Sequence, residues 1–230
     1  TRRSSDLKAA APKKSVLFIA IDDMNDWVGC MGGHPNTITP NLDKLAGQSV
    51  MFTSAHCAAP LCNPSRAAIM TGRRPSSTGV YMNNQPYHGS KVLNGVPTLN
   101  QHYKDSGYTV LGSGKIYHGT WGAFADTEGW HDYGHPKQDY RLSSKPPLAG
   151  EAARAHFDWG VTAGGDDEMN DYHVVDWVSG QLQKKRAEPL FLACGIFKPH
   201  LPWYIPKKYF DMHPLDSIQL PRVKEDDLDD

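Results

Sequence analysis

Val16-Leu17-Phe18-Ile19-Ala20-Ile21-Asp22-Asp23 is an unbroken apolar run that stops at two adjacent carboxylates. A run rich in β-branched residues and without polar alternation reads as a parallel strand covered on both faces. It sets the fold class as α/β, with a mostly parallel central sheet flanked by helices. Asp22 and Asp23 then stand at the carboxyl end of a strand, where ligands collect in open α/β sheets. Neighbouring carboxylates repel unless a cation separates them, so the pair is a candidate site for a hard divalent ion, calcium or magnesium. The competing reading is a solvated Asp-Asp turn.

Downstream, Thr39-Pro40 reads as an N-cap and first turn, which predicts a helix through Leu42 and Leu45 to about Ala46, with Gly47 as its stop. Val50 to Ser54 is predicted as a short strand, and 56–61 as the loop that delivers Cys62. Cys62-Asn63-Pro64-Ser65-Arg66-Ala67-Ala68-Ile69-Met70-Thr71-Gly72-Arg73 then opens a helix, because Pro64 pre-sets an early helical dihedral and Ala67 to Met70 propagate it. A cysteine at that start faces unpaired backbone N–H groups and the positive end of the dipole, an anion site that would lower the thiol pKa. Arg66 adds a fork suited to tetrahedral oxyanions.

Thr98 to Ser106, closed by Gly107, is predicted as a helix, and Tyr108 to Leu111 as a strand leading into Gly112-Ser113-Gly114-Lys115. From Trp121 to Gly165 no period is sustained, which predicts an insertion of long loops. Asp171 to Arg186 has helical spacing, with Val174, Val178 and Leu182 on one face. Leu190 to Phe197 is the next buried strand, and it ends in Lys198-Pro199-His200.

The 230 residues suit one large α/β domain or two small ones. Residues 1–14 read as a disordered leader, and 15–230 as one catalytic α/β domain. With 24 basic and 25 acidic residues the net charge is −1, which argues against nucleic acid as a partner. No apolar run approaches a membrane span. Cys30, Cys57, Cys62 and Cys194 form no Cys-x-x-Cys pair, which argues against a zinc knuckle or thioredoxin site. One disulfide stays open, and Cys30, Cys57 and Cys194 otherwise read as buried small hydrophobes. Trp121, Trp130, Trp159 and Trp203 suit either a core or the face of a sugar, and Asn83 and Asn84 could reach sugar hydroxyls.

The segment from Cys62 to Arg73 resembles the signature of the formylglycine sulfatases, cysteine-x-Pro-Ser-Arg followed by Thr-Gly-Arg, at every fixed position. Further segments are similar to the iduronate-2-sulfatase-like branch. Gly114-Lys115-Ile116-Tyr117-His118 resembles its Gly-Lys-x-x-His element. Phe197-Lys198-Pro199-His200-Leu201-Pro202, followed by Tyr204-Ile205-Pro206-Lys207, resembles its Lys-Pro-His block. This resemblance implies an alkaline-phosphatase-like fold with Asp22, Asp23 and Cys62 on calcium or magnesium. It also implies oxidation of Cys62 to formylglycine by a formylglycine-generating enzyme.

In the implied mechanism an oxygen of the aldehyde hydrate attacks sulfur in line, with His200 protonating the leaving alcohol. His118 takes the proton of the second hydroxyl, while Lys115 and Arg66 neutralise the sulfate oxygens. Lys198 and Asn84 are candidates at the substrate rim. The implied substrate is a sulfated oligosaccharide or polysaccharide, and the implied location is periplasmic or secreted. Family members add an Asp-His or Asp-Asn pair of metal ligands far downstream, of which this sequence has no convincing copy. The acidic stretch 225–230 reads as a solvated face. The chain is therefore expected to be the N-terminal portion of a longer sulfatase, completed by a C-terminal fragment. Two alternatives remain: a formylglycine-dependent phosphonate or phosphate ester hydrolase, and a non-catalytic glycan-binding relative.

Overall fold

The computed structural model describes residues 13–119, 124–135, 142, 144–150, 157–221 and 224–226. Most of the expected leader, Trp121, His156 and the last four positions of the acidic end lie outside the described residues. The strands are β1 (Val16–Ile21), β2 (Thr109–Gly114), β3 (Asp132–Gly134), β4 (Trp159–Thr162), β5 (Leu190–Ile196) and β6 (Trp203–Pro206). The α-helices are α1 (Pro40–Ala46), α2 (Cys62–Thr71), α3 (Pro75–Thr78), α4 (Leu99–Asp105), α5 (Asn170–Leu182) and α6 (Lys207–Asp211).

The central sheet has the order β1-β5-β2-β3, and each of its pairings is parallel. Its two faces bury different sets of side chains, as strand alternation requires. Phe191 and Ala193 of β5 and Val110 of β2 join Ala67 and Met70 of α2 on one face. Leu190, Leu192 and Cys194 join Val174 and Val178 of α5 on the other. β5 is therefore the doubly covered strand, buried from Leu190 to Gly195.

β1 departs from that expectation. Phe18 and Ala20 pack into the first core, but Leu17 and Ile19 are about half exposed. The reason is placement: among the described residues β1 is the edge of the sheet, and α5 packs mainly on β5 and β2. α5 also turns differently from its predicted face, since Leu182 is exposed and Gln181 is buried. Gln181 is tolerated inside because Arg186 donates to its side-chain oxygen at 2.8 Å and also to its backbone carbonyl.

Other expectations need correction. Residues 50–54 form no strand: Val50 and Phe52 are 83% and 77% exposed, and among the described residues no strand pairs with them. The strand after Gly107 runs on to Gly114 instead of stopping at Leu111. The long loop region contains β3 and β4. Lys13, assigned to the leader, donates to the Ser106 carbonyl. All four cysteines are free, and of the three read as buried hydrophobes only Cys194 is buried; Cys30 is intermediate and Cys57 exposed. α1 spans its predicted range, although Thr39 does not cap it and instead bridges Gly29 N–H and Asp43.

Candidate active site

β1, β5 and β2 end side by side, and their register places the chemistry. Asp22 N–H donates to Ile196 O at 3.0 Å, and Lys115 N–H donates to Gly195 O at 2.9 Å. The residues that follow each strand, Asp22-Asp23, Lys198-Pro199-His200 and Lys115 to His118, thus emerge at one sheet edge. Gly195 makes this approach possible, because a Cβ there would collide with the Lys115 backbone. Gly114, at φ 81°, supplies the left-handed turn that sends Lys115 across.

Asp22 is the centre of the charge arrangement. It is buried, and its Oδ1 accepts from Arg66 Nη2 at 2.6 Å. Its Oδ2 pairs with the Lys115 ammonium but has no well-angled hydrogen bond. Burial alone would raise the Asp22 pKa; the close ion pairs with Lys115 and Arg66 outweigh it and hold the carboxyl below its ordinary value. Asp23, by contrast, is about half exposed and adopts φ 58°, a left-handed conformation that Asp tolerates better than most residues. Asp23 is not one of the three residues, Asp22, Cys62 and His200, whose ligand atoms all lie within 4.8 Å of one another.

Cys62 stands at the first turn of α2, with Leu61 as N-cap and Gly72 in the left-handed region at the other end. Its Sγ lies 3.8 Å from Lys115 Nζ. The α2 start is held by groups the sequence reading missed. Asn63 N–H donates to Asn83 Oδ1 at 3.0 Å, and the Asn63 amide donates to Met82 O and Gln85 O at 2.9 and 2.6 Å. Asn83 is therefore a brace, while Asn84 is exposed and makes no hydrogen bond among the described residues. Arg66 also donates to the carbonyls of Lys115 and Ile116, so one buried guanidinium ties α2 to β1 and to the turn after β2.

His200 completes the cluster. Ligand atoms of Asp22, Cys62 and His200 all lie within 4.8 Å of one another. Its Nδ1 lies 2.5 Å from Leu201 O, and because a carbonyl only accepts, Nδ1 carries the proton. Nε2 is left toward Asp23 Oδ2 at 3.8 Å. At His118 burial first, then the charges of Lys115 and Arg66, push the pKa down, and its buried Nδ1 has no hydrogen-bond partner among the described residues. Lys198 is more of a brace than a substrate contact. Its ammonium donates to His200 O at 3.2 Å and to Pro202 O, and burial lowers its pKa.

The charge and donor set can be tested against a divalent cation. Asp22 and Asp23 carry two negative charges, and Oδ2 of Asp22 is a buried oxygen without a formed hydrogen bond beside Cys62 and His200. Hard oxygen donors of this kind fit calcium or magnesium, with an ion competing against the Lys115 ammonium for that oxygen.

A sequence model of the sulfatase family matches residues 14–217. The chain belongs to the sulfatase family. A sulfatase of Formosa agariphila is 37% identical over 241 residues, taking in 100% of this chain and 48% of that protein. The iduronate 2-sulfatase of Mus musculus is 29% identical over 225 residues, 92% of this chain and 40% of that one. Phosphonate monoester hydrolase SpPMH from Silicibacter pomeroyi superposes with a TM-score of 0.70 at 17% identity, covering 93% of this chain and 47% of that structure. At such identity the likeness concerns the fold, which is alkaline-phosphatase-like. The chain spans about half the length of the curated relatives it matches.

The family motifs of this sulfatase chain are thus brought together, but what holds them in place includes a residue outside any motif. Asp171, in the first turn of α5, accepts the backbone N–H groups of Phe197 and Lys198 at 2.8 Å each. It clamps the segment leading to His200. A carboxylate in the first turn of a predicted helix was visible in the sequence, but nothing local tied it to a loop 26 residues away.

Proposed function

We propose that the chain carries the reaction centre of a sulfatase that hydrolyses sulfate esters of a sulfated carbohydrate. The observation that carries the reading is Cys62 at the start of α2, 3.8 Å from the Lys115 ammonium and in one cluster with Asp22 and His200. Sulfate ester hydrolysis needs cations around the sulfate oxygens, a nucleophile aimed at sulfur and a proton for the departing alcohol. Each requirement has a named group at this strand edge. The carbohydrate class rests on the relative named iduronate 2-sulfatase.

The formylglycine derived from Cys62, once hydrated, supplies a nucleophilic hydroxyl and a second hydroxyl whose deprotonation returns the aldehyde and frees sulfate. Asp22 and Asp23, with the oxygen on residue 62, would hold a calcium or magnesium ion that lowers the pKa of that nucleophile. Calcium takes about six to eight oxygen ligands, so these residues fill part of its shell. Lys115 and Arg66 neutralise charge around the sulfate. As the imidazolium, with Nδ1–H held on Leu201 O and Nε2–H beside Asp23, His200 gives its Nε2 proton to the leaving oxygen and returns to the neutral ring. His118, kept neutral by burial and by Lys115 and Arg66, accepts the proton of the second hydroxyl. By family analogy, an exported location, periplasmic or secreted, goes with this reading.

The test is a peptide mass for residue 62 in the full-length protein expressed with a formylglycine-generating enzyme, paired with sulfate release from sugar sulfates. An aldehyde at residue 62 and sulfate release are expected. An unmodified thiol with no release from any sulfate ester would sink the proposal, and faster turnover of matched phosphate or phosphonate esters would move it to the phosphorus chemistry.

A further inference from the structure

The peptide unit between Gly114 and Lys115 sets the direction in which the Lys115 side chain leaves the sheet, and its two ends are held from different strands. Its N–H, that of Lys115, donates to Gly195 O of β5 at 2.9 Å. Its carbonyl, that of Gly114, accepts from the Tyr133 hydroxyl of β3 at 2.5 Å. Such a grip matters here because Gly114 is a glycine at φ 81°, the residue type with the most freedom to let a peptide plane swing. Further along the turn, Arg66 takes the carbonyls of Lys115 and Ile116. Arg66 belongs to the Cys62 segment, whereas Tyr133 belongs to no motif and stands at the far end of the β1-β5-β2-β3 order.

Register and space together put the phenol there. β2 and β3 pair in parallel with Gly112 opposite Tyr133, and a Cβ at Gly112 would come within 2.8 Å of the Tyr133 and Trp130 rings. The glycine thus leaves room for the Tyr133 ring to lie across β2. Trp130 meets that ring edge-on with centroids 5.2 Å apart, and Ser113 Oγ donates to Gly134 O at 2.9 Å, which pins β3 in its register. Burial pushes the Tyr133 pKa above the ordinary phenol value, with the Ile116 backbone and the Arg66 charge pulling less strongly the other way. The hydroxyl therefore keeps its proton and donates it.

We infer that Tyr133 is a positioning residue for sulfate ester hydrolysis: its hydroxyl fixes the Gly114 carbonyl and, through that peptide plane, aims the Lys115 ammonium between Asp22 and Cys62. The inference rests on the sulfatase reading and adds to it a residue that touches no reacting atom. Lys115 pairs with Asp22 and lies 3.8 Å from Cys62 Sγ, so a swing of its peptide plane draws the cation away from the place where the sulfate oxygens would sit. Phenylalanine at 133 keeps the ring against Trp130 and removes only the donor to Gly114 O.

The experiment uses the full-length, matured protein with calcium and a small sulfate ester. Tyr133→Phe should lower kcat about tenfold. In a Lys115→Ala background the same change should cost less than about twofold, because the group it positions is gone. An equal loss in both backgrounds, as a purely structural role would give, or no loss when Lys115 is present, would overturn the inference. Calorimetric binding of inorganic sulfate to Cys62→Ala protein reads the same coupling without turnover. There Tyr133→Phe should weaken binding about threefold or more when Lys115 is present and have no effect in Lys115→Ala. A wild-type protein that releases no sulfate from any ester, while this coupling in binding holds, refutes the sulfatase reading alone. Sulfate release with additive losses refutes the role of Tyr133 alone.

Discussion

Replacing Arg66 with methionine isolates the charge arrangement on which the site stands. The guanidinium donates to Asp22 Oδ1 at 2.6 Å and to Ile116 O at 3.0 Å, both buried, and to the part-buried Lys115 O. Methionine fills much of the volume but leaves the carbonyls without a donor and Asp22 with Lys115 as its remaining partner. A lost hydrogen bond to a charged group costs about 1.5–3 kcal/mol and an unmet buried acceptor about 1–3. With apolar packing returning part of this, the expected loss is about 4 kcal/mol, within the range for breaking a buried pair. Urea unfolding of EDTA-treated protein at neutral pH measures it without a contribution from bound metal. In the wild type the Asp22 pKa is depressed, so its stabilisation is complete above the unfolded carboxylate value and is lost as the pH falls through the lower folded one. In Arg66→Met burial is opposed by Lys115 alone and the Asp22 pKa climbs, so the gap between variant and wild type narrows on acidification. A gap under about 1 kcal/mol, the size expected of a surface pair, would refute the buried-pair argument. So would a gap that widens toward acid.

The depressed pKa of His118 puts the acid limb of kcat/KM below the ordinary histidine value; Lys115→Gln, by removing a neighbouring cation, should move that limb upward even as the rate falls, and a limb that stays put excludes His118 as the base. Asp171→Asn replaces one of two carboxylate acceptors with a donor facing a backbone N–H, at a cost of about 2 kcal/mol. Because the clamp positions the His200 loop, kcat should fall about tenfold, with KM for a small sulfate ester little changed; an unaltered kcat would show that the loop holds without it. Gly195→Ala should destabilise by about 3 kcal/mol or more in urea because its Cβ meets the Lys115 backbone. The control Gly180→Ala, in open space within α5, should stabilise by about 0.5–1 kcal/mol.

What the sequence made legible was local. A strand running into Asp22-Asp23, a helix opening at Cys62, and the segments after β2 and β5 are each contained in a dozen or fewer neighbouring residues, and each was found at or near its predicted bounds. Their convergence was legible too, since parallel strands of one sheet deliver their carboxyl ends to one edge. The errors share a different origin. Leu17 and Ile19 read as buried because an apolar run does not say whether a helix reaches across the outermost strand. Leu182 and Gln181 exchanged places because Arg186 satisfied a buried amide, which no periodicity records. Val50 to Ser54 had strand composition but no partner strand, and β-propensity without pairing is weak.

Lys198 shows why role assignment is harder than residue assignment. A cation beside a catalytic histidine reads as an anion contact, yet this ammonium is turned onto the carbonyls of His200 and Pro202 and the ring of Phe197. Burial lowers its pKa, a cost that a purely substrate-facing cation on an open rim would not meet. Together with Asp171 it holds the segment between β5 and β6 from both sides, the carboxylate gripping backbone N–H groups and the ammonium gripping carbonyls. The loop that presents His200 is therefore fixed by opposite charges that need not touch substrate. Position along the chain identifies such residues; only the direction of their hydrogen bonds separates a brace from a binding group.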